Sequence, residues 1–199
     1  MTDTNTLHEQ TSLLISRSLS GEQSAYSELY MLYADSVYRL CYSLLLNHED
    51  AEDVMQESFV YAFKNLSRFD ASKSAFKTWL YTIALSRCRN VYRRQRPLQM
   101  RFADLLQLEI AAPRDETPEA VLSRRAAEDT VEQALARLSP NLREAIVLRY
   151  GHGLTYREIA EVMDCPQKTA ESRVRLAHEK LRGLLSPVAQ GLFEEMLSV

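Results

Sequence analysis

Between Phe76 and Arg96, aromatic and basic side chains interleave: Phe76, Lys77, Trp79, Tyr81, Arg87, Arg89, Tyr92, Arg93, Arg94 and Arg96. Basic groups at that density can track a phosphate backbone, and exposed aromatic faces can stack on unpaired bases. From Arg68 to Arg101 nine bases stand against one acid, Asp70, a run that repels itself without an anionic counter-surface. For Trp79 alone, plain core packing is the favoured account. A second polar array, Gln167, Lys168, Thr169, Ser172, Arg173 and Arg175, would face outward from a carboxy-terminal helix, where such residues meet base edges and phosphates. The bland alternative is a solvated helix face with ordinary i,i+4 pairs such as Glu171 with Arg175. Five bases against two acids from Gln167 to Arg182 lean towards DNA.

The opposite sign gathers upstream, where eight acids face two bases from Glu22 to Leu66. The densest part, Asn47-His-Glu-Asp-Ala-Glu-Asp-Val-Met-Gln-Glu-Ser-Phe59, invites a metal-site reading that fails on spacing. No Glu-x-x-His pair occurs in the chain, and the carboxylates spread around the helix instead of converging. Acids at a helix start suit the macrodipole; a protein-contact surface is the sharper reading. No glycine-rich phosphate loop and no nucleophile elbow is present, so the expectation is no catalytic residue, no metal and no cofactor.

Positioning these groups falls to helices. Five glycines in 199 residues and few alternating apolar stretches predict an all-α chain. Tyr26, Leu29, Tyr30, Tyr33, Val37, Leu40, Cys41 and Leu44 recur at helical spacing over about 22–46. A second helix runs over about 49–66 with Val54, Phe59, Phe63 and Leu66 inward. A third, over 76–96, buries Trp79, Leu80, Ile83, Ala84 and Val91, and Pro97 is expected to end it. From Leu98 the character changes: Pro113 and Pro118 interrupt an acidic, turn-like stretch that reads as a flexible linker ordered on a partner.

A compact carboxy-terminal domain is predicted next. A helix over 128–138 leads to Ser139 as N-cap with Pro140 at the first helical position, and the following helix closes at Gly151. Thr155 and Glu158 form a capping box for a helix carrying Ile159, Ala160 and Met163. After Asp164-Cys165-Pro166 a last helix buries Ala170, Val174, Ala177 and Leu181. Two short helices joined by a tight turn, the second polar outside, make a helix-turn-helix. The organisation expected is an amino-terminal segment 1–21, a helical bundle 22–97, a linker 98–127, a helix-turn-helix domain 128–185 and a tail 186–199.

Composition agrees. No uncharged apolar run reaches about 18 residues, so no transmembrane helix is expected, and Met1–Gln10 lacks a basic-then-apolar leader. Three separated cysteines (Cys41, Cys88, Cys165) suggest a reducing cytosol and no disulfide framework. The net charge of −3 conceals two segregated surfaces, which suggests two partners, one a polyanion.

The stretches AEDVMQESFVYAF (51–63) and FKTWLYTIA (76–84) resemble domain two of the extracytoplasmic-function (ECF) sigma factors of the sigma-70 family. LARLSPNLREAIVLRYGHGLTYREIAEVM (135–163) resembles their domain four. That resemblance implies a non-enzymatic, cytoplasmic initiation factor whose partners are core RNA polymerase, promoter DNA and an anti-sigma factor. It places Glu52, Asp53, Gln56 and Glu57 where the family docks on polymerase. The loop 67–75 and the helix after it, with Lys73, Lys77, Trp79, Ser86, Arg87, Arg89, Asn90, Arg93 and Arg94, lie where the single-stranded −10 element is held. Gln167, Lys168, Thr169, Ser172, Arg173 and Arg175 lie where the duplex −35 element is read. Asp164 stands where the family usually has glycine, a position expected to need a left-handed backbone, which Asp tolerates. Lys168, Glu171 and Ser86 also depart from the usual residues, so promoter preference does not follow from the pattern. A stand-alone helix-turn-helix regulator is the alternative; it leaves the separate acidic and basic-aromatic helices without a purpose.

Overall fold

The computed structural model describes residues 2–102 and 131–184, and side chains within 6–94 and 131–184. Among the described residues every regular element is helical. The expected linker from residue 103 onward and the tail 186–199 lie outside them.

The amino-terminal half opens with α1 (Thr2–Leu19), where the sequence reading had only a polar segment. Its signal is sparse but helical in spacing: Thr11, Leu14, Ile15 and Ser18 are buried. The Thr11 hydroxyl lies 2.7 Å from the Tyr33 hydroxyl, and Arg17 pairs with Glu22 and, at 3.1 Å, with Glu28. That arginine and the hydroxyl pair tie α1 to α2 (Gln23–Leu45).

Helix α2 buries Leu29, Tyr33, Val37, Leu40, Cys41 and Leu44. It ends at Leu46, which adopts a left-handed φ of 54° and donates its N–H to the Tyr42 carbonyl at 2.7 Å. Asn47 then caps α3 (His48–Lys64), its side chain accepting the Asp50 N–H at 2.9 Å. Val54, Met55, Phe59 and Ala62 are buried under α3. A 3-10 turn, Leu66–Arg68, seats Leu66 in the core.

Helix α4 (Phe76–Phe102) crosses α2 and α3 and buries Phe76, Leu80, Tyr81, Ile83, Ala84, Leu85 and Cys88. It does not stop before Pro97 as expected. Proline forfeits one N–H bond and clashes with the carbonyl four residues back, a cost of about 3 kcal/mol in a helix interior. Here the helix absorbs that penalty near its end and runs five residues further.

In the carboxy-terminal half residues 131–136 are helical. Ser139 occupies the N-cap position of α5 (Pro140–Ile146), although its side chain makes no capping bond. The helix widens into a π turn over Val147–Gly151. The predicted capping box at Thr155 and Glu158 is present and starts α6 (Tyr156–Met163). Asp164 ends α6 with φ 52°, the left-handed backbone expected of it, and the Cys165 N–H reaches back to the Ala160 carbonyl at 3.0 Å. Helix α7 (Gln167–Leu184) buries Ala170, Val174, Ala177 and Leu181, as predicted from spacing. Helices α6 and α7 form the helix-turn-helix.

The two halves pack on one another, α6 against α4 and the α5 π turn against α2.

Candidate protein- and nucleic-acid-contact surfaces

Glu52, Asp53, Gln56 and Glu57 all face solvent on α3, because Ala51, Val54, Met55, Ser58 and Phe59 take the inward stripe. Asp53, Gln56 and Glu57 line one groove with Val60, Tyr61, Lys64 and Arg87. The groove has an acidic edge, a partly apolar floor and two basic groups. No group of three or more His, Cys, Asp or Glu residues is placed to hold a metal ion among the described residues.

The residues expected to hold −10 DNA divide into several groups. Ser86, Arg93 and Arg94 are exposed on α4, with Arg93 hydrogen-bonded to half-buried Asn90. Lys73 is exposed in the loop before α4 and lies 3.3 Å from Asp70. The Asp70 carboxylate is held below its usual range, chiefly by hydrogen bonds from Ser72, which also shape the turn at 3.0 Å (N–H) and 2.6 Å (hydroxyl). Trp79 is half-buried in an aromatic cluster, with ring centroids 5.3 Å from Phe69 and 5.7 Å from Phe76. Core packing, the favoured account of Trp79, thus agrees with the contacts.

Arg87 turns to the acidic groove. Its guanidinium lies 4.8 Å over the Tyr61 ring and its Nε is 3.8 Å from Glu57.

Lys77 and Arg89 turn onto the carboxy-terminal half. The Lys77 ammonium donates to the His152 carbonyl at 3.1 Å, and burial lowers its pKa. Arg89 makes a forked pair with Glu144, Nε to Oε1 at 3.1 Å and Nη2 to Oε2 at 2.7 Å, and a longer bond to the Met163 carbonyl at 3.4 Å. That pairing raises the arginine pKa. The Glu144 side chain is 1% exposed and that of Arg89 35%.

Three further contacts cross between the halves. The Tyr81 hydroxyl lies 2.9 Å from His152 Nδ1. Arg143 donates to the Leu44 carbonyl at 2.8 Å, and the Tyr42 hydroxyl donates to Glu132 at 2.9 Å. Burial, then Lys77 and Arg39, depress the His152 pKa to about 3, while burial lifts Tyr81 to about 12. The residues doing this, Glu132, Arg143, Glu144 and His152, were not singled out from sequence. Glu144 did carry a signal: it is an acid inside Leu142–Leu148, where apolar residues crowd every side of the helix.

On α7, Gln167, Lys168, Ser172 and Arg175 are exposed, and Thr169 and Arg173 half-buried. Gln167 donates to Glu171 at 3.0 Å and Arg175 to Glu179 at 2.8 Å. The expected i,i+4 pairing is thus present with a different acid, and both pairs are solvent-exposed and weak.

Comparison with known proteins places both halves. Residues 29–97 match sigma-70 region 2 and residues 128–181 match sigma-70 region 4. The RNA polymerase sigma-H factor of Pseudomonas aeruginosa is 34% identical over 90% of this chain and 96% of its own length. The ECF RNA polymerase sigma factor SigW of Bacillus subtilis is 32% identical over 81% and 89%. The ECF sigma-E factor of Escherichia coli K12 is 33% identical over 88% and 94%. Among solved structures, CnrH in complex with the cytosolic domain of CnrY matches with a TM-score of 0.64 and 26% identity, covering 88% of this chain and 96% of that one. The sigma factor RpoE bound to the anti-sigma factor NepR, from Bartonella quintana, matches at 0.59 and 26%, covering 80% and 95%.

Proposed function

The chain is an ECF sigma factor of the sigma-70 family, and from that premise we propose how its surfaces divide the work of promoter-specific initiation with core RNA polymerase. Domain two takes residues 22–97 and domain four residues 128–185. The acidic face of α3, through Asp53, Gln56 and Glu57 with Glu52 beside them, docks on core polymerase. The amino-terminal half of α7, through Gln167, Lys168, Thr169, Ser172, Arg173 and Arg175, reads the duplex −35 element. Helix α4 and the loop before it hold the melted −10 strand. The factor catalyses no reaction itself and works where the polymerase is, in the cell interior.

The observation that carries this reading is the exposed acidic face of α3 set apart from the polar, basic face of α7, in the chain order of the two matched sigma regions. A stand-alone regulator would use α7 alone. Lys77 and Arg89 add a condition. Both are engaged by domain four in the closed arrangement, so their use on DNA requires domain four to leave α4. The isolated factor therefore binds promoter DNA weakly, with few phosphate contacts and salt screening those. An anti-sigma factor fits the same scheme as a partner that keeps these surfaces covered; the similar sigma factor RpoE is known in complex with the anti-sigma factor NepR.

The test is size-exclusion chromatography with bacterial core polymerase at moderate salt. The wild-type chain is expected to co-elute stoichiometrically, and the double charge reversal Asp53→Lys, Glu57→Lys to elute free while keeping its helical circular dichroism. Both side chains are exposed, so the fold does not depend on them. Normal holoenzyme formation by the double variant would overturn the docking assignment.

A further inference from the structure

Among the described residues Arg87 is the one base of α4 that lines the acidic groove of α3. Its guanidinium lies 4.8 Å over the Tyr61 ring, which holds the side chain over the groove. Its Nε is buried and has no hydrogen-bond partner among the described residues; the Glu57 carboxylate, at 3.8 Å, is too far to accept. Beside it the groove floor exposes two large apolar groups, Val60 at 53% and Tyr61 at 44%. The Arg87 side chain nevertheless keeps 22% of its surface exposed, so a partner that covers this apolar floor can bring an oxygen acceptor to its guanidinium. The preceding residue, Ser86, is exposed, about 100° around the helix from Arg87. The two neighbours therefore face different partners.

We infer that Arg87 is a specificity-determining residue for core polymerase, donating from its guanidinium to an oxygen acceptor on the polymerase segment that fills this groove. The inference rests on the docking reading of α3. The mixed lining says what that segment carries: an apolar ridge over Val60 and Tyr61, basic groups towards Asp53 and Glu57, and a carboxylate or carbonyl towards Arg87 and Lys64. A single-stranded DNA phosphate fits less well, since Glu57 and Asp53 repel it.

The experiment measures core-polymerase affinity of full-length Arg87→Met and Arg87→Lys, and −10 strand opening by each as preformed holoenzyme at saturating core. Methionine keeps much of the apolar stem and removes the donors; lysine restores the charge but not the guanidinium fork. Arg87→Met is expected to weaken core binding roughly 10- to 100-fold, as for a hydrogen bond to a charged group, with Arg87→Lys intermediate and opening at saturation unchanged. Unchanged core affinity with weakened strand opening overturns the inference and returns Arg87 to the DNA-binding set. Should Arg87→Met misfold by circular dichroism, Arg87→Lys decides alone, and wild-type core affinity in it counts against the inference. The Asp53→Lys, Glu57→Lys variant separates the two levels. If it loses polymerase while both Arg87 variants bind normally, only the role of Arg87 fails; if it too binds normally, the docking surface lies elsewhere.

Discussion

Replacing Arg89 with methionine should open the closed arrangement of the two domains by about a hundredfold. The Glu144 carboxylate is almost wholly buried, and its forked partner comes from the other domain. Removing one member of a buried pair costs about 3–5 kcal/mol, because the remaining charge stays desolvated. Arg89 is one-third exposed, which lets water soften the loss, so about 3 kcal/mol is the fitting end of that range. The penalty falls on the closed form, since lifting domain four off α4 returns Glu144 to water. At about 1.4 kcal/mol per factor of ten, about 3 kcal/mol shifts the closed-to-open ratio roughly a hundredfold. Small-angle X-ray scattering of the polymerase-free chain reads this as a larger radius of gyration with unchanged helical circular dichroism. Glu144→Gln should open it less, because the amide oxygen still accepts from Arg89. The combination Arg89→Met, Glu144→Leu should close it again, because an apolar pair of similar volume leaves no charge buried. A scattering curve for Arg89→Met identical to wild type would refute the reasoning and show that the pair does not hold the domains together.

Two other outcomes can be checked on the same material. Mild acid should loosen the domains through His152, whose pKa of about 3 lies below its ordinary 6.5. The open or unfolded chain takes up that proton between pH 6.5 and 3 while the closed form does not, so closure is complete above pH 6.5 and weakens as pH falls; allowing for partial solvent access, the loss at pH 5 is about 1–2 kcal/mol. Scattering at pH 7 and pH 5 measures it, and a His152→Gln chain should respond less; equal profiles for the wild type would remove His152 from the interface argument. Arg173→Ala should weaken recognition of the −35 element by about 1–3 kcal/mol, the worth of a bidentate base contact. Run-off transcription from promoters differing only at −35 tests this, and unaltered selectivity would exclude Arg173 from the reading set.

What the sequence made legible was whatever is decided within a few residues. The capping box at Thr155 and Glu158 and the inward stripe of α7 depend on spacing alone, and each stands as read; the left-handed Asp164 follows from the resemblance, since it stands where the family usually has glycine. The resemblance, and not spacing, singles out Glu52, Asp53, Gln56 and Glu57; they are exposed because their apolar neighbours claim the other face of α3. Helix α1 was missed because its buried stripe includes Thr11 and Ser18, polar residues whose hydroxyls find partners only once folded: Tyr33 for the first and the Leu14 carbonyl for the second. The helix through Pro97 went unread for a different reason. Proline penalises a helix without forbidding it, and the sign of the net balance is set by the remaining turns. Least legible was the destination of the α4 bases. Lys77, Arg87 and Arg89 look alike in sequence, yet one bonds a backbone carbonyl of domain four, one stacks on Tyr61, and one pairs with Glu144. Composition gives their charge; only the packing of three helices gives their direction.

That divergence bears on how one helix can serve two states. A guanidinium has a fixed fork of donors, and the fork of Arg89 fits a carboxylate as well as it fits a phosphate. In the closed arrangement Glu144 occupies the fork, so a phosphate reaching Arg89 must first displace an anion already held in a desolvated site. The competition is between an internal, tethered anion and an external one whose binding falls with salt. Raising salt weakens the external phosphate contact more than the buried pair, which is screened far less. The same logic holds for Lys77, whose half-buried ammonium is bonded to the His152 carbonyl. Basic charge on α4 therefore does not translate into free DNA affinity in proportion to its count. Arg93 and Arg94, exposed further along the helix, are accessible in the closed form, whereas Lys77 and Arg89 would become accessible to a phosphate only once domain four had moved.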